Sequence, residues 1–181
     1  MNNSNEPLIW GTTKENKVAK LYTLKNKYIE MEVSDYGCTI TKLLVPDKNG
    51  KIDDIVLGCQ TLQEYEDFSP SFGCVIGRTA SRITKFIINE QEITLNNFHG
   101  GKKNFSKQIF EANLINSDKN EPGICFKYLS KDGEENYPGD LSVTVIYTLL
   151  DENALKITYY STVEGSPTII NLTNHSYFNL G

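Results

Sequence analysis

LSVTVIYTLL, Leu141–Leu150, is the stretch that decides the fold class. Leu141, Val143, Val145, Tyr147 and Leu149 alternate with Ser142, Thr144, Ile146 and Thr148. Successive side chains of a strand point to opposite faces, so this period of two predicts one apolar face and one mostly polar face. DENA, Asp151–Ala154, then turns the chain back into LKITYYSTV, Leu155–Val163, which makes the pair antiparallel. The same alternation recurs upstream. In YIEMEVS, Tyr28–Ser34, Ile29, Met31 and Val33 face one way and Glu30, Glu32 and Ser34 the other. TITKLLV runs through a PDKNG turn into KIDDIVLG, and FIINEQEITL reads as a tight hairpin about Asn89 and Glu90. These runs are rich in β-branched and aromatic residues, as strands are.

Helical signals are few. TLQEYEDF, Thr61–Phe68, predicts a short helix with Leu62 and Tyr65 on one face. GCVIGRTASRI reads as a turn of helix or an irregular buried run. No fixed-period repeat, low-complexity tract or linker divides the chain. The expectation is one all-β unit of antiparallel sheets over residues 1–181, a β-sandwich or part of one.

Composition narrows the function classes. A net charge of −5 and a pI near 5.1 argue against nucleic acid as a partner, because phosphate binding needs basic patches. The lysines are scattered rather than clustered. The polar start, MNNSNEPLIWG, lacks the apolar core of a secretory signal, and no run of about 18 apolar residues predicts a membrane span. Cys38, Cys59, Cys74 and Cys125 lie far apart with no CxxC pair, so they read as buried reduced thiols. The glycosylation sequon at Asn174 would put a glycan beside His175 in a secreted protein. These features together place the expected location in the cytoplasm.

Four stretches are left unexplained by strand patterning. IGRTASRI, Ile76–Ile83, sets two arginines among apolar residues, and an inward guanidinium there needs partners from the protein or from a polyhydroxylated or anionic ligand. LNNFHGGKKNFSK, Leu95–Lys107, follows His99 with two glycines that allow close backbone approach or positive φ. DGEENYPGDL, Asp132–Leu141, reads as a connecting loop with a turn at Tyr137–Gly139. NLTNHSYFNLG, Asn171–Gly181, surrounds His175 with amides that have hydrogen bonds to make. Taken singly, His99 reads as a satisfied loop histidine and His175 as a core imidazole satisfied by its amide neighbours. The chain's 2 histidines fall in its two oddest segments, and an imidazole titrates near neutrality. No GxSxG elbow, Cys–His signature, P-loop or GxGxxG is present, and two histidines without HExxH spacing make a weak zinc site. Acid–base chemistry on a neutral polar ligand remains, with no metal and no cofactor.

In this order, IGRTASRI, NNFHGGKKNFSK, GEENYPGDL and NLTNHSYFNLG closely resemble the successive signatures of the aldose 1-epimerases, the galactose mutarotases. SDYGCTITKLLVPDKNGKIDDIVLG is similar to their N-terminal region, so the resemblance runs from about Lys20 to the end of the chain. It implies a galactose mutarotase-like supersandwich, incomplete on its C-terminal side. It further implies a cofactor-free enzyme that interconverts the α and β anomers of free hexoses such as glucose and galactose. By that resemblance His175 is the acid that protonates the ring oxygen, and Ser176 and Tyr177 line the sugar site. His99 and Arg82 bind sugar hydroxyls. Ser81 stands where the family has asparagine before that arginine. Family members are nearly twice as long, with the glutamate base and a sugar-binding aspartate in their second half. The chain is therefore expected to be an N-terminal portion, or a catalytically incomplete sugar-binding protein, with exposed sheet edges open to self-association.

Overall fold

The structure is a computed structural model that describes residues 6–68, 70–116 and 120–180. Five strands form one antiparallel meander: β1 (Leu8–Thr12), β2 (Val18–Lys25), β3 (Glu30–Ser34), β4 (Ile40–Pro46) and β5 (Ile52–Asp54), in the order β1-β2-β3-β4-β5. Helix α1 (Leu62–Asp67) follows, started by a capping box in which Thr61 accepts from the Glu64 N–H and the Glu64 carboxylate accepts from the Thr61 N–H. It turns Leu62 and Tyr65 inward, where the Tyr65 ring meets Trp10 of β1 at 5.3 Å.

The chain then passes through the two-residue β6 (Val75–Ile76) into the hairpin β7 (Arg82–Ile88) and β8 (Gln91–Phe98). Asn89 and Glu90 both take positive φ, 50° and 64°, the geometry whose twist matches the flanking strands of a two-residue hairpin. The second large sheet is β12-β11-β10-β9, built from β9 (Glu111–Ile115), β10 (Gly123–Ser130), β11 (Asp140–Leu150) and β12 (Ala154–Glu164). A short β13 (Thr173–Asn174) closes the chain against β6.

The two large sheets share one core. Met31, Val33 and Ile40 of the first pack in a single buried cluster with Ile124, Phe126, Val143, Val145 and Tyr147 of the second. Leu141, Val143, Val145, Tyr147 and Leu149, the five apolar positions read from the alternation, are each at most 1% exposed. Full burial of one such side chain contributes about 1.5–3 kcal/mol, so this face alone is a large share of what holds the sandwich together. Tyr22 and Phe126 meet edge to face across the layers at 6.3 Å, and the Tyr147 hydroxyl donates to the Cys38 carbonyl at 2.8 Å. The molecule is nearly all-β with antiparallel sheets, as the period of two requires. β12 is an edge strand, and Tyr160 and Val163 on it are 62% and 43% exposed.

One buried carboxyl gives the fold a pH signature. Asp35 is 4% exposed, and burial pushes its pKa up to about 6, although its Oδ1 accepts from the Lys20 N–H at 2.8 Å. A carboxyl raised in the folded state stabilises most below its unfolded value of 3.8 and loses that contribution as pH rises through about 6. Asp35→Asn keeps an acceptor for Lys20 without the charge. It should gain on the order of 2 kcal/mol over wild type at pH 8 and little at pH 4. Urea melts at the two pH values check this, and an equal gain at both would contradict it.

Candidate functional site

Two of the four unexplained stretches build one platform. The segment 73–80 lies alongside the C-terminal stretch through a run of main-chain bonds. Thr173 pairs with Ile76 and Asn174 with Val75, the Asn171 N–H donates to the Arg78 carbonyl at 2.9 Å, and the Ala80 N–H donates to the Asn171 carbonyl at 2.8 Å. His175 is held at both ends of its own backbone. Its N–H donates to the Cys74 carbonyl at 2.8 Å, and its carbonyl accepts from the Gly73 N–H at 3.1 Å. Asn174 supplies the amide bonds its residue type suggests: Nδ2 donates to the Gly73 carbonyl at 3.0 Å, and Oδ1 accepts from the Ser176 N–H at 2.9 Å.

Of the two arginines in IGRTASRI, the inward one is Arg78, and the protein satisfies it entirely. It is 1% exposed. Nε donates to Ser130 Oγ at 2.9 Å, Nη2 to the Ser130 and Lys131 carbonyls at 2.8 and 2.9 Å, and Nη1 to the Pro138 carbonyl at 2.8 Å. Thr168 Oγ1 accepts more loosely at 3.4 Å, and the guanidinium lies 5.6 Å from the centre of the Tyr137 ring. Thus the stretch read as a linking loop is anchored to the platform by Arg78. Its acidic side chains are engaged structurally. Glu134 accepts from the Tyr128 hydroxyl at 2.8 Å, Asp140 pairs with Lys131 at 2.8 Å, and Glu135 accepts from the main-chain N–H groups of Lys102 and Lys103 at 3.0 and 2.7 Å.

Glu135 and the platform explain the two glycines after His99. Gly100 (φ 89°) rests against the Gly77 carbonyl and Gly101 (φ 114°) against the Glu135 carboxylate, each too closely for a Cβ. A side chain at 100 would push the loop off its seat, and one at 101 would displace the Glu135 carboxylate. His99 itself has φ 54°, and it is clamped by Ser81, which has φ 68°. The His99 N–H donates to the Ser81 carbonyl at 2.8 Å, and the Ser81 N–H donates to His99 Nδ1 at 3.0 Å. A neutral ring whose Nδ1 accepts carries its proton on Nε2, so His99 presents an Nε2–H donor. Partial burial, then the neighbouring His175 and Arg82, hold its pKa below the usual histidine range. In a ¹⁵N-detected histidine titration, His99 should show the Nε2–H tautomer and titrate below about 6.5. An Nδ1–H tautomer would break this assignment.

The two imidazoles come together. Their ring centres are 5.1 Å apart at 78°, and both line a cleft of about 370 Å³, within the roughly 300–1,000 Å³ range of small-molecule pockets. Tyr177 also lines it, its ring 5.2 Å from His175 and 5.4 Å from Phe72. His175 Nδ1 and Ser176 Oγ are buried and have no hydrogen-bond partner among the described residues. The other expected site residues stand outside the lining. Ser81 acts on His99 through its main chain. Ser176 is partly buried and does not line the cleft. Arg82 is exposed, with its guanidinium 4.6 Å from the centre of the Phe98 ring, in an adjacent hollow with Asn97. Sequence reasoning missed Tyr36, Phe72, Asn104, Lys102 and Lys107, which share the lining. Lys102, Asn104 and Lys107 lie in the stretch already singled out around His99, whereas Tyr36 and Phe72 come from separate loops and carry no local signal. Among the described residues no group of three or more His, Cys, Asp or Glu could hold a metal ion, and no helix is long and apolar enough to cross a membrane.

Comparison with known proteins agrees with the motifs. The sequence profile of the aldose 1-epimerase family matches residues 20–181. The galactose mutarotase of Bos taurus is 40% identical over 167 residues, covering 88% of this chain and 47% of that protein. The aldose 1-epimerase of Escherichia coli K12 is 34% identical over 170 residues, covering 89% and 48%. The chain thus spans about half the length of the curated relatives it matches. Among solved structures, a galactose 1-epimerase from Lactobacillus acidophilus superposes with a TM-score of 0.85 at 25% identity, over 97% of this chain and 53% of that one. An aldose epimerase homologue from C. elegans superposes at 0.80 with 30% identity, over 90% and 51%. The chain belongs to the aldose 1-epimerase family.

Proposed function

We propose that this chain supplies the acid side of an aldose 1-epimerase acting on free hexoses such as galactose and glucose. The observation that carries the reading is the pairing of His175 with a tautomer-locked His99 in one cleft. His175 Nδ1 is buried, which leaves Nε2 as the nitrogen that meets a ligand. An Nε2–H delivered to the ring oxygen lets the C1–O5 bond break, while a base takes the proton of the anomeric hydroxyl. The C1–C2 bond then rotates, and closure on the other face returns both protons. His99, a fixed donor, orients a hydroxyl, Tyr177 offers an aromatic wall to the sugar ring, and Arg82 reaches hydroxyls from the rim.

No Asp or Glu lines the cleft among the described residues, so the base lies outside this lining. We place it in the half of the relatives that this chain does not span. The same observation favours a second reading, a protein that binds sugars without turnover. Polarimetry of fresh α-D-galactose and α-D-glucose tests both. The chain alone should accelerate the decay weakly, and more strongly when mixed with the separately produced C-terminal half of a galactose mutarotase. No acceleration in either case, alongside hexose binding by calorimetry, would replace the first reading with the second. Absence of binding as well would sink both.

A further inference from the structure

His175 carries the chemistry proposed for the cleft, yet the buried side of its ring is held by nothing polar. Nδ1 has no hydrogen-bond partner among the described residues, and the ring packs against two others, His99 at 5.1 Å and Tyr177 at 5.2 Å. Its direction is therefore set by the backbone that carries it. Asn174 brackets that backbone. Its Oδ1 accepts from the Ser176 N–H at 2.9 Å, which makes an Asx-turn across residue 175 and restricts its φ and ψ. Its Nδ2 donates to the Gly73 carbonyl at 3.0 Å, and the Gly73 N–H donates to the His175 carbonyl at 3.1 Å. The same Nδ2 reaches the Tyr147 hydroxyl at 3.3 Å, and Tyr147 is a fully buried residue of β11 that donates to the Cys38 carbonyl. One amide thus ties the main chain on both sides of His175 to the core of the sandwich.

We propose that Asn174 is a positioning residue, whose Asx-turn aims the His175 imidazole into the cleft toward His99. This rests on the reading of His175 as the acid. Asn174 itself does not line the cleft. Nor is it the sole support of its acceptors. The Gly73 carbonyl also accepts from the Ile40 N–H at 3.0 Å, and the Tyr147 hydroxyl keeps its bond to Cys38. The Ser176 N–H is the group that loses its partner when the amide goes. Aim and stability are therefore separable at this position. An acid displaced by about 1 Å loses about 10²-fold in rate, because proton transfer needs the reacting atoms in line.

The variants Asn174→Ala and Asn174→Ser test it, since serine closes the same turn more weakly and alanine does not close it. NMR of the chain reads the aim directly: with 2 histidines in the sequence, cross-relaxation between their ring protons is readily assigned. Wild type should show it, the alanine variant should lose most of it, and the serine variant should keep part. In polarimetry with D-galactose, on the chain mixed with the C-terminal half of a galactose mutarotase, kcat should fall about 10- to 100-fold for alanine with KM within about twofold, and less for serine. The melting temperature should fall by no more than about 5 °C in either variant. Cross-relaxation that is absent from wild type, or unchanged in the alanine variant, would overturn the proposal whatever the melting temperature does. So would equal losses in the two variants, or an unchanged kcat where wild type is active. Were wild type to leave the decay of galactose unaltered, the sugar-site reading would fall, and the cross-relaxation would still decide whether Asn174 aims the ring.

Discussion

His175→Gln should lower the catalysed rate of galactose mutarotation by about 10²–10⁴-fold, the usual contribution of one general acid, while moving the melting temperature by no more than about 2 °C. The separation of the two readouts follows from the structure. What fixes residue 175 in place is its main chain, bonded to Cys74 and Gly73, and those bonds survive any side-chain change. The imidazole contributes ring contacts to His99 and Tyr177 but no hydrogen bond through Nδ1, so its removal leaves no buried partner stranded. Glutamine is close in size and keeps a donor, yet its amide does not release a proton near neutrality. A rate loss matched by a large fall in melting temperature would recast His175 as a packing residue. An unchanged rate would move the acid elsewhere.

Arg78→Met should have the largest effect on stability of any single substitution in the platform. Methionine fills comparable volume but strands the carbonyls of Ser130, Lys131 and Pro138, each of which now accepts from the guanidinium. A buried acceptor left unpaired costs about 1–3 kcal/mol, so a total of about 3–5 kcal/mol is expected. At about 2–4 °C per kcal/mol, that is a fall of roughly 10 °C in melting temperature. Arg78→Lys should recover only part of it, because one ammonium cannot span carbonyls that flank a planar fork. Circular-dichroism melts of both variants decide this. A loss below about 1 kcal/mol for the methionine variant would mean the loop 131–139 is held by something other than Arg78.

How much of this was legible beforehand depends on the range of the forces involved. The alternation in β11 was readable because one face meets a buried core, and the pattern of burial is written residue by residue into the strand. The hairpin at Asn89 and Glu90 and the inward Leu62 and Tyr65 were local in the same sense. The choice between Arg78 and Arg82 was not, since the partners of Arg78 lie 52 to 90 positions along the chain and no local pattern announces them. Asn174 advertised hydrogen bonds without saying to whom. That Ser81 would act on His99 through its N–H is a matter of two backbone conformations, invisible in the side-chain code. Lys102, Asn104 and Lys107 lay within the stretch already singled out for His99, but its motif did not say which of them would face the cleft.

The seat of Gly100 on the carbonyl of Gly77 has an evolutionary consequence. With φ at 89° and no space for a methyl group, position 100 tolerates no drift, whichever sugar the lineage encounters. The contact between the His99 loop and the 73–80 segment that pairs with the His175 stretch therefore depends on glycine at position 100, and adaptation to a new substrate is channelled to the rim. There, exposed side chains such as those at 102 and 107 can be exchanged without disturbing the backbone beneath.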